Sequence, residues 1–248
     1  MSNEQTPKPR ARRQLRRSTT TRAALLIAII GLTALAIERG WLTVAYIPLP
    51  RLNLAAPNAY LLDLQISRLG ANRDQCNAIL TPPYISAAAI DDQPNVADCG
   101  WRNAVKITSV AQAKLSVEQL SCATAAATTL WFAHVVQPQA QQKLGAQVAS
   151  VQHFGTYACR NIQGNKLWRS HRSQHAQANA IDIAGFTLTD GRKISVLKHW
   201  STTTPEADFL RAIHLGACKY YHVALGPNYN AAHRDHFHYD RGWFRSCR

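Results

Sequence analysis

The residues with the most chemistry in them lie near the C-terminus. Residues 173–183 read SQHAQANAIDI and residues 233–238 read HRDHFH. The first stretch offers His175 and, seven residues on, Asp182. The second offers His236 and His238 on either side of Phe237. Two imidazoles and a carboxylate make three protein ligands for zinc and leave a fourth position open. That is the ligand count of a catalytic zinc site. Asp182 falls in an apolar run, where a carboxylate is costly to bury unless it is paired or bound to a metal. On a strand, His236 and His238 point to one face and Phe237 to the other. One of these two His can ligate a metal while the other, or Asp235, moves protons.

The elements that must position these groups are read from pattern. Residues 180–188, Asp190-Gly191 and residues 193–200 read as a β-hairpin with an Asp-Gly turn. Pro205 followed by Glu206 and Asp208 opens a helix running to about Lys219. Residues 221–225 and 237–239 read as short strands, and residues 148–154 and 157–160 as a strand pair about Gly155. The stretch 116–119 (SVEQ) has the form of a capping box ahead of a helix through Ala133. A second short helix, 138–144, ends at Gly145. The order of helices and hairpins predicts an α+β domain: a small antiparallel sheet with flanking helices.

The chain has 248 residues, and its 46% hydrophobic content excludes a disordered chain. Its net charge of +14 is unevenly placed, since residues 1–22 carry seven basic residues against Glu4 alone. Residues 23–37 (AALLIAIIGLTALAI) follow directly. A basic flank before an apolar run is the pattern of a signal peptide or signal anchor. A polar region before Ala34-Leu35-Ala36 is missing, which favours an uncleaved anchor. The expected order is therefore a basic cytoplasmic tail (1–22), a transmembrane anchor helix (23–45), a linker (46–60) and a folded domain (61–248). A cleaved segment would make the domain secreted. All six cysteines lie beyond the apolar run, in an even number and without a C-x-x-C pair. In an exported domain this reads as three disulfides. The pairs expected are Cys76–Cys99, Cys122–Cys159 and Cys218–Cys247. The charge beyond the tail suits solubility or a polyanion such as cell-wall polymer. No recognition motif supports nucleic acid.

The motif S-x-H-x-x-A-x-A-x-D of Ser173–Asp182, followed by His236-Phe237-His238, resembles that of the zinc peptidases of the D-Ala-D-Ala metallopeptidase superfamily, which cut bacterial peptidoglycan. More narrowly, residues from about 76 to 248 resemble the bacterial extensin-like C-terminal family. The matching pieces include Tyr157-Ala158-Cys159-Arg160, Asp190-Gly191-Arg192, Leu225-Gly226-Pro227-Asn228-Tyr229-Asn230 and His236-Phe237-His238-Tyr239-Asp240. The superfamily resemblance implies zinc ligands at His175, Asp182 and His238. It implies a base at Asp235, one methylene shorter than the usual Glu, with His236 the rival for proton handling. Ala178 stands where the superfamily usually has Gly, so a positive φ there would carry strain.

Arg160 suits a substrate carboxylate, and Ser173 either meets substrate or shapes its loop. His233 is either a surface or structural residue or a neighbour of the ligands. His134, His153, His171, His199, His214 and His222 are expected to be structural or at the surface. The chain thus reads as a zinc-dependent peptidase of peptidoglycan stem peptides or cross-links, held at the cytoplasmic membrane by its N-terminal helix with its domain in the periplasm. The alternative is a non-catalytic wall-binding domain that keeps a structural metal site. A secreted nuclease fits the charge but lacks a phosphate-binding motif.

Overall fold

A computed structural model describes residues 10–38, 49–164 and 167–248. The chain divides into two compact units, Met1–Pro48 and Leu49–Arg248. The first contains helix α1 (Arg10–Glu38), which takes in residues 10–22 of the expected basic tail as well as the apolar run. Among the described residues, no helix is long and apolar enough to cross a membrane. Residues 39–45 of the expected span lie outside the described residues. The second unit starts at Leu49 rather than near Leu61. Leu52 and Leu54, expected in a linker, are buried in its core.

The second unit is built from helices α2 (Leu62–Ala71), α3 (Arg73–Ile79), α4 (Cys122–Trp131), α5 (Gln137–Leu144), α6 (Val196–His199) and α7 (Pro205–Ala217). Its strands are β1 (Ile85–Ala89), β2 (Gln93–Val96), β3 (Cys99–Trp101), β4 (Ala104–Val110), β5 (Ala113–Ser121), β6 (Val148–Gly155), β7 (Ala180–Leu188), β8 (Lys193–Ser195), β9 (Val223–Leu225), β10 (Phe237–Asp240) and β11 (Ser246–Cys247). Nine strands form one sheet in the order β1-β4-β5-β6-β7-β10-β9-β11, with β8 added to β7, while β2 and β3 form a separate hairpin. The α+β class is as expected. The sheet is larger than the small antiparallel one expected, and the β5–β6 and β9–β11 pairings are parallel.

The expected capping box at 116–119 is instead the middle of β5. Ala113, Leu115 and Val117 are buried while Lys114, Ser116 and Glu118 are exposed, which is the period of two of a strand. Glu118 pairs across the sheet with Lys106 at 2.7 Å. The helix starts later, at α4. There Ser121 is the N-cap, its Oγ accepting the Thr124 backbone N–H at 3.3 Å. Nearly all of α4 is buried, and the Thr128 and Thr129 hydroxyls are satisfied by donating to the Thr124 and Ala125 carbonyls at 2.8 Å. Helix α5 ends where Gly145 takes a left-handed conformation at φ 69°. The expected strand at 157–160 does not form. Residues 196–199 are a helical turn rather than the end of the hairpin.

Strand β7 runs through the centre of the sheet. It pairs with β6 on one side and with β10 on the other. Ile181, Ile183, Phe237 and Tyr239 point into the core, where Trp131, Phe132, Phe209 and Tyr221 pack. The Trp131 indole N–H donates to the Ile213 carbonyl at 2.9 Å, which satisfies the one polar atom of a fully buried ring. By the alternation of strands, Asp182 and His238 fall on the opposite face. The disulfides are Cys76–Cys122, Cys99–Cys159 and Cys218–Cys247. Two of the expected pairs are thereby corrected. Cys76 on α3 faces the start of α4, and Cys99 on β3 faces the segment after β6.

Candidate metal centre

Antiparallel register places His238 of β10 directly opposite Asp182 of β7. A cross-strand pair on one face brings their side chains into contact, and His238 Nδ1 lies 2.9 Å from Asp182 Oδ1. His175 arrives from a 3-10 turn, Gln174–Gln177, just before β7. Ser173 is the N-cap of that turn, with its Oγ accepting the His175 backbone N–H at 3.3 Å. Ala178 ends it in a left-handed conformation at φ 50° and ψ 31°. The positive φ anticipated at this position is present. The turn swings His175 over Asp182, with Nε2 at 3.1 Å from Oδ2 and at 3.2 Å from His238 Nδ1.

The outer nitrogens decide which atoms face inward. His175 Nδ1 is 3.2 Å from the Thr156 carbonyl, and His238 Nε2 is 2.9 Å from Asp240 Oδ2. A ring N–H donates in each case, so the inner nitrogens turn their lone pairs toward each other and toward a carboxylate. Three acceptors converging within 4.8 Å can hold a cation between them. A proton on His238 fills that role in part. Burial opposes its charge, but Asp182 and Asp240 outweigh burial and push the imidazole up to about 10. For Asp182, burial works against the charge, yet the adjoining imidazoles of His175 and His238 hold the carboxyl well below the usual carboxylate range. The same donor set fits zinc: imidazole and carboxylate ligands, a carboxylate or carbonyl behind each imidazole, and donor separations close to the ~3.3 Å edge of a tetrahedron with ~2 Å bonds.

His236 lies beside this set. Its Nε2 is 3.7 Å from Asp182 Oδ1, while its Nδ1–H donates to Asp235 Oδ1 at 2.8 Å. Asp235 is therefore behind His236, and His236 Nε2 is the atom turned toward the ligands. The exposed ring of Phe154 meets the His236 imidazole edge-on at 5.5 Å. His233 donates Nδ1–H to Asn230 Oδ1 at 2.7 Å and packs 5.3 Å from His236 and 5.8 Å from His238. Burial, then the neighbouring imidazoles, push it down to about 4, so it is neutral at pH 7.

Arg160, Ser173, His175, Asp182, His233, His236 and His238 all line one cavity of about 430 Å³. Ser173 is 6% exposed and committed to its turn. Arg160 has no ion-pair partner among the described residues. Of the remaining His, His171 is exposed at the rim, and His214 is buried against Phe237 and Tyr239, where burial pushes it down. His134, His153, His199 and His222 bond to Leu54 O, Ser116 O, Ser195 N and Asp63 respectively, all away from the site.

Two supports went unassigned in the sequence. Asp240 follows His238 by two residues on a strand, a spacing that puts both on one face and was there to be read. Asn179 was not visible by any pattern. Its Oδ1 accepts from Ser121 Oγ and Thr124 Oγ1, both at 2.7 Å, and its Nδ2 donates to Gln174 Oε1 at 2.7 Å. This fastens the His175 turn to the start of α4. No curated protein and no solved structure matches the chain significantly. The family model for the extensin-like protein C-terminus matches residues 74–248, a span that includes every residue of this centre and all three disulfides, so the chain belongs to the extensin-like C-terminal family.

Proposed function

We propose that the chain is an exported zinc-dependent peptidase of the D-Ala-D-Ala metallopeptidase superfamily, acting on peptidoglycan stem peptides or their cross-links. The observation that carries this reading is the convergence of His175 Nε2, Asp182 and His238 Nδ1, each imidazole held from behind, next to a His236 held by Asp235. His175, Asp182 and His238 would hold zinc, which when bound would polarise a carbonyl and let a water lose its proton at neutral pH to become a nucleophile. The chain's own residues do the rest. Thr156 O and Asp240 fix the two ligand tautomers. His236 Nε2 accepts a proton at the cavity face and returns it to the leaving amine, while Asp235 fixes that tautomer and steadies the imidazolium. Arg160 offers a guanidinium fork to a carboxylate of the peptide.

The test is zinc analysis of the purified protein together with hydrolysis of defined stem peptides, before and after chelation. The expected result is about one zinc per chain and cleavage that chelator abolishes and zinc restores. Protein that takes up no zinc overturns the reading. Protein that binds wall peptides with zinc in place but never cleaves them is a wall-binding module instead.

A further inference from the structure

The cavity has a second wall that the hydrolytic reading does not use. Trp168, Trp243 and Phe244 line it together with the His175, Asp182 and His238 set. Trp243 and Phe244 are stacked, with ring centroids 3.8 Å apart at 28°. Trp168 stands edge-on to both, 4.5 Å from Phe244 and 6.1 Å from Trp243. Phe244 covers one face of the Trp243 indole, yet Trp243 remains 72% exposed. A large apolar ring standing in water at the edge of a cavity, stacked on a second ring, marks a binding surface.

The shelf is also fixed relative to the metal ligands. Asp240, which accepts from His238, accepts the Gly242 backbone N–H through its other oxygen at 2.7 Å. A Cβ on Gly242 would lie 2.8 Å from the Gln174 side chain, so the segment before Trp243 is pressed against the His175 turn. The buried Arg241 anchors the same segment by donating to Tyr220 O and Asp63 Oδ1. An aromatic face is thus held at a set distance from the reacting centre.

The charge around it narrows the occupant. Arg160, Arg172 and Arg248 line the cavity without an ion pair among the described residues, while Arg245 there is paired with Asp63. The only carboxylates lining it among the described residues, Asp182 and Asp240, are both committed to His238. The ligand is therefore anionic and presents a ring with one C–H-rich face. Such C–H bonds carry partial positive charge and meet the negative face of an indole. Ring hydroxyls on the other edge stay solvated or bond to nearby donors. We propose that the Trp243–Phe244 shelf binds a pyranose ring of a glycan still attached to its acidic peptide. On this view the site takes the peptide on the glycan strand in preference to free peptide. The inference rests on the peptidase reading for the peptide, and on the shelf alone for the sugar.

The test is tryptophan fluorescence titration of the full chain with a stem peptide bearing its N-acetylated disaccharide, the same peptide without sugar, the free disaccharide, and single-stranded oligothymidylate. The sugar-bearing peptide should bind about tenfold tighter than the bare one. Trp243→Ala should erase that preference, and Trp243→Phe should keep most of it. The exposure of Trp243 means that neither change should alter the melting temperature. Phe244→Leu is the second probe and should weaken the preference by leaving the indole unsupported. Equal binding of the two peptides, a preference that survives Trp243→Ala, or tight binding of oligothymidylate in place of sugar would overturn the proposal. Failure of the zinc-loaded protein to cleave either peptide would sink the peptidase reading and leave a Trp243-dependent sugar preference standing.

Discussion

Asp235 is the base the sequence favours, with His236 as its rival, and one hydrogen bond argues for the reverse order. Because Asp235 accepts from His236 Nδ1, it acts through the imidazole and does not reach the ligands itself. His236→Ala should therefore lower turnover by about 10²–10⁴-fold, and Asp235→Asn by roughly tenfold, as for a partner that sets a tautomer. Both variants should keep zinc, measured on the preparations used for the rate. A larger loss for Asp235→Asn than for His236→Ala would reverse the order of roles. Asp240→Asn should act differently. It removes the acceptor behind His238 and should weaken zinc binding by about 10–100-fold, read by competition with a chelator. Unchanged affinity would mean that His238 is held by packing alone. The His175, Asp182 and His238 cluster was legible because a motif fixes its spacing in the chain. Asp240 was present in the same run but had no role until β10 put it on the face of His238. The strain at Ala178 was legible as a departure from a glycine, and its sign needed the φ.

At the scale of elements, what could be read was whatever a local signal marks. Helix α5 had its Pro and its Gly, and α7 had Pro205 with Glu206 and Asp208 in its first turn. The start of α4 was misplaced because S-V-E-Q satisfies a capping box on paper. Burial on alternate residues then made that stretch a strand, a tertiary preference that overrides local propensity. Disulfide partners could not be read for a related reason: pairing depends on which loops the sheet brings together. A contact of the same long-range kind joins α2 to the C-terminal segment. Asp63 bonds to His222, Arg241 and Arg245. The hydrogen bond from His222 comes first, working against burial, and with Arg241 it holds the Asp63 carboxyl well below the usual carboxylate range. A depressed folded pKa contributes stability that is full above the unfolded value of about 4 and is lost as pH falls below it. Asp63→Asn should cost about 1–3 kcal/mol at pH 7, toward the lower end because the carboxylate is half exposed. The gap from wild type in denaturant melts should narrow between pH 7 and pH 3. A gap that does not change with pH would remove the ionic part of the argument.

The whole molecule combines a strongly basic N-terminal segment with a domain that closes all six of its cysteines into disulfides. Those bonds span sequence separations of 46, 60 and 29 residues. Each is expected to contribute about 2–5 kcal/mol, or roughly 4–20 °C of melting temperature for a domain of this size. Cys99–Cys159 also bears on the site. It pins the segment just after Thr156, whose carbonyl orients His175, and just before Arg160. Such bonds persist in an oxidising compartment, and on the exported reading proposed above the basic flank with its apolar run would deliver the domain there. A reporter fused after Arg248 should therefore be active only when it has crossed the cytoplasmic membrane. Protein isolated from the cell, unfolded without reductant, should show no reactive thiol. The same chain made without residues 1–48 and kept in a reducing cytoplasm should show six, melt lower and hold zinc less tightly, because the His175 and Arg160 segments lose their tether. A cytoplasmic reporter signal, or six free thiols in protein from the native compartment, would defeat the exported reading and return the cysteines to candidacy as metal ligands.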